Sequence, residues 1–201
     1  IDENSHIWVI SWFHKAPRNL LRIRPLRVNP DLPDYGVFAL RAFARPNPIG
    51  MSLVRVVGVK GNYVHVEGLD AIGGTPILDL KPYYENDIVF SPQTSYIKGK
   101  DREMRIQFLE KQAFVHHQEK CSELAMAVRM AAIAEDYIGK LNCNKLFVNV
   151  VGSHCLGDCI QGLSRARIAN PPRFSFRYSN RCGKTVWTKG TRQLTIILKK
   201  A

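Results

Sequence analysis

The sequence lacks the features that define several specialised classes of protein. None of its apolar runs approaches the roughly 20 residues that a helix needs to span a bilayer. Its first residues do not have the charged and then apolar layout of a secretory signal peptide. All five cysteines lie from Cys121 onward, and an odd number in a chain of 201 residues argues against a disulfide framework. These absences predict a cytoplasmic protein with reduced thiols and without a membrane partner.

Carboxylates are scarce toward the end of the chain. From Cys159 onward there are ten Lys and Arg residues and no Asp or Glu. The net charge of +12 is therefore uneven: residues 1–100 hold 12 cations against 9 carboxylates, and residues 101–201 hold 17 against 8. This balance indicates a polyanionic partner, since neutralising phosphates releases counterions, although a basic surface that only aids solubility would look similar. Four aromatic side chains lie among these cations, as in base-stacking surfaces and also in core strands: Phe174, Phe176, Tyr178 and Trp187.

Short apolar runs separated by turn residues predict an antiparallel sheet or barrel in the first half. The run over residues 6–14 is apolar on both sides, which is typical of a central strand. Because a central strand at an extreme terminus is unusual, we expect further residues upstream of Ile1. Further strand-like runs cover residues 36–39, 51–59 and 63–66, with Gly61-Asn62 at the turn of a hairpin.

The second half shows helical spacing of its apolar residues. Residues 122–139 are predicted to form an amphipathic helix, preceded by a less regular helix over residues 103–118. A short helix is expected over residues 156–163, and strands over 145–151, 173–178, 185–188 and 193–198. Together the two halves predict an α+β protein: an N-terminal antiparallel β-barrel over residues 1–95, and a basic, mixed α/β domain over residues 101–201.

The hexapeptide Arg45-Pro46-Asn47-Pro48-Ile49-Gly50 is the most unusual local feature. Proline cannot donate to a sheet ladder and glycine weakens a strand, so these residues predict an ordered turn that leads into a strand from Met51. A loop stiffened by two prolines loses little further entropy on binding, which suits it to ligand contact. Arginines beside it could grip a carboxylate or a phosphate with two parallel hydrogen bonds.

Four blocks of the first half resemble the TrmO (TsaA-like) tRNA methyltransferase family. They are SHIWVISWFH (5–14), RIRPLR (22–27), GVFALRAFARPNPIGMSLVRV (36–56) and GLDAIGGTPILDLKPY (68–83). The resemblance implies a dimer built on an unusual β-barrel that uses S-adenosylmethionine. It also implies methylation of the exocyclic nitrogen of N6-threonylcarbamoyladenosine at tRNA position 37. The sequence agrees in having no glycine-rich strand-to-helix fingerprint of a Rossmann sheet in this half.

The resemblance also implies which residues bind the cofactor. Leu40 and Ala42 stand where the family has a threonine and a serine beside its arginine. The implied contacts to S-adenosylmethionine are His14, Lys15, Arg41, Met51, Glu67, Gly68, Leu69 and Asp70.

Methyl transfer needs the attacking nitrogen in line with the S–CH3 bond, so positioning can supply most of the acceleration. The carbamoyl substituent withdraws the lone pair of that nitrogen, so a nearby base would help. The candidates for this base are Asp70, Asp79 and His14, and the residues leave the choice open. For Asp79 a structural role, pairing with Lys81 or capping a turn, is the preferred interpretation.

Residues 113–201 resemble, less specifically, the family of the E-type subunit of formylmethanofuran dehydrogenase, whose members often use a His-x-Cys pair with a later cysteine to bind metal. The matching segments are Cys121 ahead of ELAMAVRMAA, the strand KLFVNVV and the segment HCLGDCIQG. Here Glu119 replaces that histidine, and buried free thiols are preferred over a metal site. The candidate ligands are His117, Cys121, His154, Cys155 and Cys159.

The basic end of the chain is expected to hold the tRNA backbone rather than to read its bases. The candidate RNA-binding residues are Arg45, Arg165, Arg167, Arg173 and Arg177. Two other functions remain open from the sequence: an RNA-binding or scaffold protein that has lost catalysis, and a metal or redox module that uses the C-terminal cysteines.

Overall fold

The computed structural model of the chain describes residues 1 and 3–198. The chain forms two compact units, one of residues 1–26 and 32–89 and the other of residues 27–31 and 90–201. The domain limits 1–95 and 101–201 remain predictions, and residues 199–201 of the second lie outside the described residues.

The first unit is built on one four-stranded antiparallel sheet. Its strands run in the order β5-β4-β1-β6, so the first strand is central, as its apolar pattern predicted. A separate two-stranded ladder joins β2 and β3. The six strands are β1 (His6–Trp12), β2 (Arg22–Ile23), β3 (Tyr35–Gly36), β4 (Ile49–Lys60), β5 (Tyr63–Glu67) and β6 (Ile77–Pro82).

The antiparallel sheet is confirmed, but the described strands do not close into a barrel. Strands β5 and β6 are the two edges of the sheet, and each pairs with one neighbour within the described residues. The predicted strand over residues 36–39 is wrong beyond Gly36, because Val37–Ala39 form a 3-10 turn. Val37 is fully buried there, and its backbone N–H donates to the carbonyl of Leu21 rather than to a sheet partner.

The core of the first unit is small and lies on one face of its sheet. Ile7, Val9 and Val54 are buried, and the partly buried residues Val56, Val64, Val66 and Leu80 pack against them. The hairpin between β4 and β5 turns at Gly61, whose φ of +59° favours glycine, as the sequence predicted. The opposite face of the sheet carries exposed apolar side chains from β4, including Met51 and Leu53.

Up to Leu198, where the described part of the second unit ends, three helices pack on one face of another four-stranded sheet. The sheet has the order β10-β9-β7-β8, with β7 and β8 parallel and the other pairs antiparallel. Helices α2 and α3 contact the strands, whereas α1 packs on α2 and α3. The elements are α1 (Arg102–His117), α2 (Ser122–Ile138), β7 (Leu146–Gly152), α3 (His154–Ser164), β8 (Phe174–Tyr178), β9 (Lys184–Lys189) and β10 (Arg192–Ile197).

Each helix of the second unit begins at a side-chain cap. Asp101 accepts a hydrogen bond from the backbone N–H of Met104 and begins α1, and Ser153 accepts one from Leu156 and begins α3. Gln118 and Arg165 end α1 and α3 in the left-handed conformation. The predicted mixed α/β arrangement of this half is confirmed. None of the helices in the described residues is both long and apolar enough to cross a bilayer.

Candidate functional site

The proline-rich turn of the first unit is tied to the end of β1. The backbone N–H of Phe13 donates to the carbonyl of Pro48 (2.8 Å). The guanidinium of Arg18 donates to the carbonyl of Pro46 (3.1 Å) and lies 5.3 Å from the centre of the Trp12 ring. The turn is therefore held at fixed positions, as its prolines predicted.

Gly50 is required where this turn enters β4. A Cβ atom built at Gly50 would lie 2.4 Å from a ring carbon of Phe13 and 2.5 Å from Oγ of Ser11. Both neighbours belong to the β1 segment, and Ser11 is buried. A side chain at position 50 would separate the turn from β1, so the glycine fixes the approach of the turn to the sheet.

The two arginines near the turn have different environments. Arg45 points inward, where its guanidinium donates to the carbonyls of Val37 and Leu40, and its Nε is buried without a hydrogen-bond partner among the described residues. Arg41 is exposed, and within the described part of the chain its side chain makes no hydrogen bond or ion pair. Arg45 thus holds the backbone of its own loop together, and Arg41 is free to meet a ligand.

Met51 of β4 and the predicted contacts at the end of β5 lie on or beside neighbouring strands of the first sheet. Met51 is half exposed and pairs with Ile10, which in turn pairs with Asp79 of β6. Glu67 ends β5 opposite Arg55 and forms an ion pair with it (2.9 Å). Gly68 follows with φ of +90°, and its Cβ position lies 3.9 Å from the carbonyl oxygen of Leu53.

The stretch from Glu67 to Asp70 therefore runs beside the strand that carries Met51. His14 and Lys15 follow β1 directly and are exposed, close in sequence to the Phe13 contact with the turn. The predicted contacts thus lie in β4, beside it, or next to the Phe13 contact with the turn that precedes it. They are Met51, residues 67–70 and residues 14–15.

The three base candidates differ in how their side chains are engaged. Asp79 lies 2.6 Å from Nζ of Lys81 and also accepts a hydrogen bond from the backbone N–H of Leu80. The hydrogen bond from Lys81 holds the pKa of Asp79 below its usual range. The side chains of Asp70 and His14 are exposed and make no hydrogen bond within the described residues. This arrangement supports the structural interpretation of Asp79.

The sequence did not single out Thr75, in the segment Gly73-Gly74-Thr75-Pro76. Its hydroxyl is buried and has no hydrogen-bond partner among the described residues. The neighbouring Pro76 accepts a hydrogen bond from the backbone N–H of Trp12, which brings this segment to the same end of β1 as the proline-rich turn. A buried hydroxyl without a protein partner is available to hydrogen-bond a ligand at this end of β1.

A second cluster of functional side chains lies in the second unit, where α1 and α3 meet the start of α2. Candidate ligand atoms of His117, Cys121 and Cys155 all lie within 4.8 Å of one another. The other ring nitrogen of His117, Nδ1, is 2.7 Å from a carboxylate oxygen of Asp158. A carboxylate on the far nitrogen of an imidazole is typical of metal-binding histidines, because it orients the ring.

The surroundings of this cluster shift the pKa values of its three candidate ligands. Burial opposes ionisation of Cys121, but the backbone N–H of Leu124 (3.3 Å) and the ring of His117 (3.5 Å) outweigh it, and its pKa is lowered. The hydrogen bond with Asp158 raises the pKa of His117. Burial, followed by the charge of Cys121, raises the pKa of Cys155.

Two other predicted ligands do not belong to this set. Cys159 is fully buried, and burial raises its pKa to about 12. The ring of His154 stacks on Tyr178 at 4.9 Å. Asp158, which contacts His117, was not among the predicted ligands, and its spacing of three residues from Cys155, one turn of α3, is the signal that could have found it.

The four candidate RNA-binding arginines of the second unit divide into two pairs. Arg173 is buried and donates to the carbonyl of Cys143 (2.9 Å). Arg165 lies over the ring of Phe90 at 5.6 Å, and burial lowers its pKa. Arg167 and Arg177 are exposed, so they are the two that remain open to a polyanion.

Residues 1–87 match the family model of the tRNA-methyltransferase O N-terminal domain. A "probable S-adenosyl-L-methionine-binding protein" of Archaeoglobus fulgidus is 34% identical over 140 residues, which are 69% of this chain and 37% of that protein. Because residues 1–87 are shorter than this alignment, it also includes part of the second unit. The tRNA (adenine(37)-N6)-methyltransferase of Rattus norvegicus is 37% identical over 103 residues, 49% of this chain and 23% of that protein.

Among solved structures, a crystal structure of TrmO from Pseudomonas aeruginosa matches with 36% sequence identity and a TM-score of 0.35. The match covers 46% of this chain and 38% of that one. In each of these three comparisons, the chain spans less than half the length of the protein that it matches.

Proposed function

We propose, from the membership of residues 1–87 in the tRNA-methyltransferase O N-terminal domain family, that this protein is an S-adenosylmethionine-dependent tRNA methyltransferase. Its acceptor would be the exocyclic nitrogen of N6-threonylcarbamoyladenosine at tRNA position 37. The single observation that carries the proposal is the family match, which includes the proline-rich turn and every predicted cofactor contact. The proposal extends to a dimeric, cytoplasmic enzyme and to a barrel completed beyond the described strands.

The chain has features that fit a bound methyl donor. The buried hydroxyl of Thr75 and the buried Nε of Arg45 lack partners among the described residues, and both belong to segments that meet at the end of β1. The methyl donor would be held by the predicted contact residues, all of which are exposed: His14, Lys15, Arg41, Met51 and 67–70. When bound, S-adenosylmethionine supplies an activated methyl group on a sulfonium.

The residues of the chain would act chiefly by positioning. The turn, held by Phe13 and Arg18, offers backbone groups that need no reordering on binding. Arg41 would pair with a carboxylate in a two-pronged contact. Asp70 or His14, whose side chains are exposed, would accept the proton of the acceptor nitrogen, while Asp79 stays paired with Lys81.

Binding of S-adenosylmethionine, measured by calorimetry, tests the first step. Met51→Ala should weaken binding about three- to tenfold, since Met51 is half exposed and only about half of the roughly 1.5–3 kcal/mol for burying a whole methionine side chain remains to be gained. Val57→Ala is the matched control, because Val57 is similarly exposed on the same strand. If calorimetric titration of correctly folded wild-type protein with S-adenosylmethionine shows no binding, the proposal is contradicted. The non-catalytic RNA-binding alternative is then favoured.

Methyl transfer itself is tested on tRNA that carries the threonylcarbamoyl group. Mass spectrometry of its nucleosides after incubation with the protein and S-adenosylmethionine should show the methylated form. The tRNA of a deletion strain should lack that form and regain it on complementation. If the methyl group is transferred to unmodified adenosine instead, the proposed acceptor is wrong but the proposed methyltransferase activity is retained.

A second function, divalent metal binding by the second unit, is favoured by the geometry of His117, Cys121 and Cys155. Two thiolates and an imidazole suit zinc, and Asp158 already orients the ring. Zinc titration of the chelator-treated protein should show one tight site, lost in Cys155→Ala. The matched control is Cys182→Ala, because Cys182 is exposed and absent from this cluster. Equal zinc binding by both variants would contradict a site at these residues.

A further inference from the structure

The sheet of the second unit has one face that its helices leave uncovered. Along β7, Leu146, Val148 and Val150 are buried toward the helices, whereas Phe147 and Asn149 are exposed. Side chains alternate across a strand, so these exposed residues point away from α2 and α3. We call the outward surface of β7–β10 the open sheet face.

The strand register defines what stands beside Phe147 on this face. Phe147 pairs with Thr188 of β9, and Thr188 pairs with Gln193 of β10. The side-chain amide of Gln193 donates to the hydroxyl of Thr188 (3.3 Å). A ring that is half exposed therefore lies beside a hydroxyl and an amide, with Asn149 two residues along the same strand.

Two cations occupy the other end of the open sheet face. Val151 of β7 pairs with Lys184 on one side and with Arg177 on the other, so both cations share one level of the sheet. Four residues of extended strand separate this level from Phe147, a distance of roughly 13 Å. Residues of these strands line a shallow depression of about 570 Å³ that is open to solvent.

The charge of this face is unopposed within the described residues. None of the strands β7, β8, β9 and β10 contains Asp or Glu. Lys189 and Arg192 are committed to the carbonyls that end α2, and Lys189 donates to that of Ile138 (3.1 Å). In the described part of the chain, the side chains of Arg177 and Lys184 have no hydrogen-bond or ion-pair partner.

We propose that the open sheet face binds single-stranded RNA, with a base stacked on Phe147 and phosphates held by Lys184 and Arg177. An exposed aromatic ring on a central strand among polar hydrogen-bonding groups is the arrangement by which sheets take up unpaired bases. The ring lies beside a hydroxyl and an amide that can hydrogen-bond a base edge, and this combination with the two cations favours RNA over an acidic protein. The inference deepens the proposed function by giving the RNA a binding surface in the second unit, and it rests on that function for the identity of the RNA as tRNA.

Fluorescence anisotropy with a labelled oligouridylate of about 12 nucleotides tests the surface on the full chain, without any methyl donor. Phe147→Ala should weaken binding roughly fivefold to a hundredfold, because one stacked base is lost, and should leave the salt dependence unchanged. Phe147→Tyr keeps the ring and should retain the affinity. Lys184→Ala and Arg177→Ala should each make the slope of log K against log salt shallower by about 0.7.

Two controls match these variants in exposure. Phe108 of α1 is 46% exposed, against 50% for Phe147, and Arg129 of α2 is exposed. Phe108→Ala and Arg129→Ala should bind RNA like the wild-type chain. Wild-type affinity in Phe147→Ala, or an equal loss in Phe108→Ala, overturns the proposal.

Two further outcomes identify a different occupant. If Phe147→Ala leaves RNA binding unchanged while labelled polyglutamate binds the wild-type chain more tightly than the RNA and loses that affinity in Lys184→Ala, the face is a site for acidic protein. If light scattering shows a dimer that Phe147→Ala dissociates, the face is an interface between copies of this chain. Each of these results overturns RNA binding at the face.

The outcome is separable from that of the proposed function. If the variants change RNA binding as expected but S-adenosylmethionine neither binds nor reacts, RNA binding by the open sheet face is supported and the methyltransferase proposal is contradicted. If tRNA is methylated while Phe147→Ala binds RNA as tightly as wild type, the methyltransferase proposal is supported and RNA binding by the open sheet face is contradicted.

Discussion

At the scale of single residues, Arg105 of α1 is the most heavily bonded cation in the core of the second unit. Its guanidinium lies 2.9 Å from Glu135 and 2.7 Å from Asp136, and it donates to the carbonyl of Ala132 (3.3 Å). Burial opposes its charge, but the two carboxylates raise its pKa. Arg105→Ala leaves Glu135, which is largely buried, without its partner, and should cost about 3–5 kcal/mol of unfolding free energy in urea titrations.

The exposed Arg102, one turn earlier in α1, provides the control for Arg105. Arg102→Ala should change the unfolding free energy by less than about 0.5 kcal/mol, because exposed substitutions rarely do more. Similar losses in both variants would mean that helix propensity, rather than the buried ion pairs, accounts for the effect.

Gly50 is the residue whose substitution most directly probes the candidate site of the first unit. Gly50→Ala should destabilise this unit by about 1–3 kcal/mol, since the new Cβ meets Phe13 and Ser11 at less than van der Waals distance. The midpoint of urea unfolding, followed by the fluorescence of Trp8 and Trp12, measures the change. Gly58→Ala in the same strand has open space around its Cβ and should be neutral or slightly stabilising.

At the scale of elements, Cys121 has two separable roles, because its sulfur both begins α2 and faces His117. In chelator-treated protein, Cys121→Ser should keep the N-terminal cap, whereas Cys121→Ala should lose about 0.5–2 kcal/mol of unfolding free energy. Both variants should lose the proposed zinc site. Equal stability of the two variants without metal would show that the cap contributes little.

Element types in the second unit follow closely from its sequence. Helical spacing of apolar residues predicted α2, and the structure begins and ends it within one residue of the prediction. Strand β6 was not predicted, because its alternation is weak: Ile77, Leu78 and Asp79 are all exposed. Pairing with β1 makes it a strand.

At the scale of the whole molecule, the described residues form two hydrophobic cores, one in each unit. Trp8 and Trp12 report on the first unit, and Trp187, which is fully buried, reports on the second. In a Trp187→Phe background, where Trp8 and Trp12 report, we expect Gly50→Ala to lower the urea midpoint of unfolding. In a background with Trp8→Phe and Trp12→Phe, where Trp187 reports, we expect the midpoint to stay unchanged. Coincident shifts in both backgrounds would show that the two cores unfold as one.

The sequence by itself determined the element types of the second unit, the central position of β1, the ordered proline-rich turn and the basic character of residues 159–201. These depend on side-chain periodicity, backbone restriction and net charge, which are local or additive properties of the chain. The tertiary structure alone decided that Asp158 supports His117, that Arg45 and Arg173 serve their own backbones, and that Arg177 and Lys184 flank one strand. Such pairings depend on how the folded backbone returns on itself, so only strand register, loop conformation and helix packing can fix them.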